Sequence, residues 1–393
     1  MNRYNILNYG ADPSGQQDSS EAIQRAIDEA AADNKNLGGI VYVPSGVYLC
    51  SNLKMKTGVT LQGSGSWGYR RMGGCVLMLN QNKAEAKCLI DLTGAYACTL
   101  SDLTISGSSD GRAPGACRAD GSGIHGVYLD YPALGARGGK TEEDIPTLSN
   151  CKVCGFSGDA VHYHNVWCFR IQHCQLATSE NGLYLCGVDG FIVDTWFSAN
   201  RQWGINTGDQ EYNSSVIVTS CRVEWNRAGG FFVSGARNWQ ITSNSFDRNF
   251  GPAVHLDSNH SRVVPYSNTI SVVGNNFNRS GVGRTGDAAS HLVLNEVYNV
   301  SVTGNTFMAG AEDNYQGEVT PKYGIVVRAL KSAVISANTL QNACTEAILV
   351  DYGDHYAKES LDDPLDGLIF EHNPGCVTLP ACYAMPGYFL SQK

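Results

Sequence analysis

The chain has 393 residues, 42% of them apolar and only 17% charged, with a formal net charge of −9. Its length and apolar content support a large buried core, and its acidic balance excludes a nucleic-acid binder built on a basic stripe. No apolar run approaches the ~20 residues of a membrane span. The N-terminal MNRYNILNYG has no hydrophobic leader, so the expectation is a cytoplasmic protein without a membrane partner.

The 44 glycines, with frequent Asn and Ser, suit many short strands and turns. The fourteen cysteines form no paired CxxC pattern and read as free, buried thiols.

In chain order, DSSEAIQRAIDEAAADN predicts an amphipathic helix with Asp18 as N-cap and Ile23, Ala26 and Ile27 on the apolar face. A helix there would cap an otherwise open end of strands. GGIVYVPSGVYLCSNLKMKTGVTLQGSGS supplies the first strands and turns. WGYRRMGG, residues 67–74, places aromatic and cationic groups beside them.

From about residue 124 a phrase recurs, in which a small residue is followed by alternating apolar and variable positions. It reads GVYLD at 126, AVHYH at 160, GLYLC at 182, GINTG at 204, GFFVS at 230 and AVHLD at 253, then HLVLN, GIVVR and AILVD. Starts from 160 to 253 are 22, 22, 26 and 23 residues apart. A unit that short cannot bury its apolar face alone, so the copies must stack rung on rung, ~4.8 Å apart. A second phrase in each repeat aligns Cys174, Trp196, Cys221, Asn244, Asn275, Asn305 and Asn338 as a structural turn ladder. The expected fold is all-β: a single-stranded right-handed parallel β-helix with an N-terminal capping α-helix. One domain is expected over 1–393, with the cap and first strands at 1–60, coils at 61–375 and a tail at 376–393.

The third and fifth positions of the phrase point outward and form two columns. Tyr128, His162, Tyr184, Asn206, Phe232 and His255 form one, continued by Val293, Val326 and Leu349. Asp130, His164, Cys186, Gly208, Ser234 and Asp257 begin the other, which ends with Asn295, Arg328 and Asp351. A solvated face would carry Lys and Glu, and these columns hold neither. The candidate catalytic residues are therefore Asp130, Asp159, His162, His164, Glu180 and Tyr184. Asp130 would orient His164, His162 and Tyr184 would exchange protons, and Asp159 with Glu180 or Asp130 would meet the carboxyl separation of a glycosidase. Tyr128, Arg201, Trp203, Asn206, Asp209, His255 and Asp257 would bind substrate. Glu224 and Asp247 form a second outward carboxylate pair. Gly-rich insertions at 106–123, 131–147, 279–290 and 352–366 would wall the cleft.

ILNYGADPSGQQDSSEAIQRAIDEA followed by GGIVYVPSGVYLCSNLKMKTGVTLQGSG resembles the N-terminal signature of the pectate-lyase-like β-helix superfamily, in the branch of family 28 glycoside hydrolases and pectate lyase 3 domains. The resemblance implies this fold and a carbohydrate substrate. Where the galacturonan hydrolases of the branch carry Asn-Thr-Asp, Asp-Asp, Gly-His-Gly and Arg-x-Lys, this chain reads SGDA, TSEN, RQWG and VVRA. The set also resembles alginate epimerases and lyases, in which Asp and His stand at the positions of His162 and His164.

The leading expectation is a glycoside hydrolase acting on an oligo- or polysaccharide. A lyase, epimerase or fructan-type transferase follows, and then a non-catalytic tailspike-type binder. A homotrimer would suit the later readings. No metal or cofactor is expected from the residues, and calcium is left open by the resemblance.

Overall fold

A computed structural model describes residues 3–33, 38–65, 67–82, 85–132, 143–208, 212–258, 267–308, 310–313, 319–328, 330–340, 346–350 and 368–373. The chain divides into two compact units, Met1–Arg201 and Gln202–Lys393.

The first unit begins with α1 (Ser20–Ala32), whose Ala22, Ile23, Ala26, Ile27 and Ala30 are buried. The N-cap is Ser19 rather than Asp18. Asp18 instead accepts the Ser20 amide (2.8 Å), and Ser19 Oγ turns back to accept the Asp12 amide (2.9 Å). After the helix come stacked parallel strands. Those that matter for the site are β1 (Cys88–Asp91), β2 (His125–Asp130), β3 (Val161–Trp167) and the first half of β4 (Leu183–Val193). Register is the predicted one: Tyr128 pairs with His162 and Asp130 with His164, then His162 pairs with Tyr184 and His164 with Cys186. Alternation sends Val127, Leu129, Val161, Tyr163, Leu183 and Leu185 fully inside, so their neighbours must face out. A bulge follows His164, with Asn165 at φ 58° ending the regular pairing.

A second parallel sheet in this unit includes Thr104–Ser106, Lys152–Cys154, Gln175–Ala177 and Trp196–Ser198. The 67–74 segment packs on it: the Lys152 ammonium donates to the carbonyls of Gly68, Tyr69 and Arg71 (3.0–3.3 Å), and Tyr69 meets Trp196 edge-on. Because Gln175 pairs with Trp196, the turn position in that coil is Thr195, one residue before the expected Trp196. Thr195 is fully buried, and its hydroxyl bonds the Val193 carbonyl (3.0 Å).

The second unit repeats the plan with β5 (Trp203–Asn206), β6 (Gly229–Ser234), β7 (Val254–Asp257), β8 (Ser290–Leu294), β9 (Tyr323–Val327) and β10 (Glu346–Val350). Its turn ladder is as expected. The backbone N–H of Asn244 donates to Asn275 Oδ1, Asn275 to Asn305 and Asn305 to Asn338, at 2.9–3.1 Å. Each side-chain amide also caps a carbonyl of the preceding coil, as Asn275 does for Ile241 (2.9 Å). Every one of these buried groups is thereby paired, where each left unmatched would cost about 1–3 kcal/mol. The described cysteines are free thiols and, apart from Cys117 and Cys168, buried. Among the described residues no helix is long and apolar enough to cross a membrane.

Candidate active site

Six of the predicted residues come together on the outer face of the first unit. The His162 ring lies between Tyr128 (centroids 5.0 Å, 11° between planes) and Tyr184 (4.6 Å, 5°). Asp159 Oδ2 is 2.8 Å from His162 Nδ1, and Asp130 Oδ1 is 2.7 Å from His164 Nδ1. The strip therefore contains two His–Asp pairs, their imidazoles two residues apart on β3, ~6.6 Å along the strand.

Asp159 is only 5% exposed. Its Oδ1 accepts both the side-chain and backbone N–H groups of Asn181 (2.8 and 3.2 Å). Burial alone would raise this carboxyl, but the His125 and His162 imidazoles beside it outweigh burial and hold it well below the usual carboxylate range. Burial likewise lowers the His162 pKa from its ordinary 6.5, against the opposing pull of Asp159. At neutral pH His162 is therefore an uncharged imidazole whose Nδ1–H donates to Asp159, leaving a lone pair on Nε2.

Asp130 is fixed differently. Burial opposes its charge, but the Tyr128 hydroxyl (2.6 Å) and His164 both bond to it, and its pKa falls below the ordinary carboxylate range. Burial and that same carboxylate push the Tyr128 hydroxyl far above its usual range, so it stays protonated.

Three residues outside the predicted set contribute. His125, one residue ahead of its phrase, accepts the Asp159 amide on Nδ1 (3.0 Å) and lies 4.5 Å from the His162 ring centre. Asn181 holds Asp159, as described. Lys87 brings its ammonium to 3.5 Å from Asp130 and 4.0 Å above the Tyr128 ring. The signal for His125 was available: His125, Asp159 and Asn181 each stand immediately before the recurring phrase on consecutive rungs.

Other expectations are corrected. Asp159 is matched by Asn181, not by Glu180, and Glu180 instead pairs with Arg201 (2.9–3.0 Å). The Arg201 guanidinium is further committed to the carbonyls of Phe156 and Ser157, so neither residue is positioned as a spare acid or a free cation. Arg328 is likewise bonded to Asp287 (Nε 2.8 Å). Glu224 and Asp247 do face each other across adjacent rungs, but Arg222 neutralises the first and Arg279, with Arg248, the second. Asp209, Glu211, Asp351 and the 352–366 insertion lie outside the described residues.

In the second unit Trp203, Phe232 and His255 form an aromatic group, with ring centroids 5.3–6.4 Å apart. Asn206 uses its side-chain oxygen to accept the Gly208 amide (2.9 Å). Asp257 lies 3.5 Å from His255 Nε2 and is held by Asn295 (2.7 Å). Farther along, Val293 and Val326 are buried with Tyr323, although their positions face outward.

A sequence model described as right-handed β-helix region matches residues 88–285, and one described as rhamnogalacturonase A/epimerase, pectate-lyase-like, matches residues 3–70. The chain belongs to the right-handed β-helix family. It is 27% identical to alginate lyase 7 of Azotobacter vinelandii over 232 residues, 55% of this chain and 24% of that protein. Among solved structures it is similar to the A-module of the A. vinelandii mannuronan C-5 epimerase AlgE4, with a TM-score of 0.67 at 18% identity and full coverage of both chains. It is also similar to the DFA-IIIase of Arthrobacter chlorophenolicus A6, with a TM-score of 0.61 at 16% identity, covering 95% of this chain and 94% of that one. The chain spans well under half the length of the curated relatives it matches.

Proposed function

We propose that this protein is a polysaccharide-acting enzyme that removes the proton next to the carboxyl group of a uronate, leading to β-elimination or to C5 epimerisation. The Asp159–His162 pair carries this reading. A neutral imidazole, clamped by a carboxylate and stacked between two tyrosines, is a general base with its orienter in place. His162 Nε2 takes the C5 proton. The electron pair either expels the glycosidic oxygen, which receives a proton from His164, or returns to C5 with a proton that His164 delivers from the other face of the sugar. Asp130 orients His164, and Lys87 supplies a cation toward the sugar carboxylate.

A hydrolase needs a carboxylic acid whose pKa is raised so that it is protonated at working pH. Asp130 and Asp159 are shifted the other way, and Glu180 is ion-paired. That contrast favours proton abstraction over the glycosidase reading. The names of the relatives, an alginate lyase and mannuronan epimerases, point the same way.

The test is product analysis on polymannuronate and polygalacturonate panels. Unsaturated, ultraviolet-absorbing ends indicate elimination, and exchange of the C5 hydrogen with solvent deuterium without chain cleavage indicates epimerisation. New saturated reducing ends with neither signal would refute proton abstraction and restore the hydrolase reading.

A further inference from the structure

The Asp159–His162 base needs one orienting carboxylate, yet a second imidazole stands on the same carboxylate oxygen. Asp159 Oδ2 is 2.8 Å from His162 Nδ1 and 3.4 Å from His125 Nδ1, and ligating atoms of all three residues lie within 4.8 Å of one another. Ligands ~2.0–2.2 Å from a tetrahedral zinc ion are about 3.3–3.6 Å apart, the spacing that Asp159 and His125 already have, so rotation of the His162 ring about its side-chain bonds is what would complete the set.

We propose that His125, Asp159 and His162 bind a single transition-metal ion, with Zn2+ the best fit, and that its binding switches off the base. The first half stands apart from the functional reading above, and the second rests on it. Two imidazoles and one carboxylate suit zinc, cobalt or nickel, whereas calcium and magnesium prefer all-oxygen sites. His125 Nδ1 already acts as a lone-pair acceptor, for the Asp159 amide at 3.0 Å, and a metal would take that lone pair over. Asn181 holds the far carboxylate oxygen with two N–H groups. This is the outer support that metal-ligating carboxylates carry. Both His125 and His162 keep 19% of their side-chain surface open, so an ion has a way in.

The proton balance gives the switch. Neutral His162 carries its proton on Nδ1. When the metal takes Nδ1, that proton moves to Nε2, and the lone pair that would accept the C5 proton is gone. No proton is released overall.

Calorimetric titration with zinc chloride should use a Cys117→Ser background, because that thiol is exposed. One saturable site per chain is expected. His125→Gln and Asn181→Ala should each weaken it by about tenfold or more, while His173→Ala, at an exposed imidazole paired with Asp194, should not change it. No saturable site, or equal affinity after His125→Gln, overturns the site. If the variants fail to fold, the Co2+ spectrum of the parent decides. Ligand-field bands without a thiolate charge-transfer band support the site, and a thiolate band overturns it. A saturable site with undiminished turnover would leave the metal site standing but overturn both the switch and the base assignment.

Discussion

The same outward positions are filled in opposite ways in the two units. In the first, the phrase and the residue before it place His125, Asp159 and Asn181 in one column and Tyr128, His162 and Tyr184 in the next. In the second, the corresponding positions hold Trp203, Gly229 and Pro252, then Asn206, Phe232 and His255, ending in the buried Val293 and Val326. The backbone is equally regular in both. What separates them is how closely each imidazole meets its carboxylate. His162 and Asp159 touch at 2.8 Å and are both braced, whereas His255 and Asp257 stand at 3.5 Å among aromatic rings. The 2.8 Å contact is the one close enough to fix an imidazole's tautomer, and the 3.5 Å contact is looser.

The sharpest way to break the comparison is Asp159→Asn. The amide preserves shape but no longer enforces the Nδ1–H tautomer of His162, so kcat should fall about 10²–10⁴-fold. Steady-state rates on the polymer identified above measure it, and a loss under threefold would remove Asp159 from the chemistry. The pH profile adds a signed check. The base works when His162 is neutral and its pKa lies below 6.5, so the acidic limb of kcat/KM should have its midpoint below 6.5. Asp159 raises that pKa, so in Asp159→Asn the midpoint should move lower still. A midpoint above 6.5 in the parent enzyme would contradict the assignment.

Asn275→Ala tests scaffold against site. It leaves the Asn244 amide without its acceptor and the Ile241 carbonyl without its donor, a loss of about 1–3 kcal/mol per buried group. Denaturant unfolding should show that destabilisation while kcat in native buffer stays within twofold. A catalytic defect without a stability change would mean that the ladder is more than scaffold. Asp257→Asn, at the histidine–carboxylate pair of the second unit, should cost less than about tenfold in kcat/KM, because its imidazole is not clamped in the same way. If it matched Asp159→Asn, the proposed division between the two strips would fail.

Much of this was legible in the sequence because a two-residue side-chain period and a near-constant repeat fix register before any coordinates exist. Tyr128, Asp130, His162, His164 and Tyr184 were placed correctly from the phrase alone. What escaped depends on hydrogen bonds rather than periodicity. The N-cap, at Ser19, and the ladder position, at Thr195, each moved by one residue, because local backbone geometry and a shorter coil decide them. Glu180 looked like a free acid because Arg201 comes within reach only when two coils stack. Lys87 escaped because it precedes a strand, Cys88–Asp91, that lies upstream of the recognised repeat. The Asp247 neutraliser Arg279 sits 32 residues away in sequence.

The smallest effect concerns Trp203, and a glycine argues for its role. Trp203 pairs with Gly229 on the next rung, where a Cβ would lie 2.1 Å from the indole ring and 2.6 Å from the Pro252 carbonyl. Only glycine lets the ring lie flat over that backbone, beside Phe232 and His255. A flat aromatic face braced in this way suits stacking against a sugar ring, a contact worth about 0.5–1.5 kcal/mol. Trp203→Ala should therefore weaken oligosaccharide binding about two- to tenfold by calorimetry, with kcat unchanged. Gly229→Ala, which displaces the ring without removing it, should weaken binding to a similar degree. If Gly229→Ala left binding intact while Trp203→Ala abolished it, the flat seating of the ring would not be what the glycan reads.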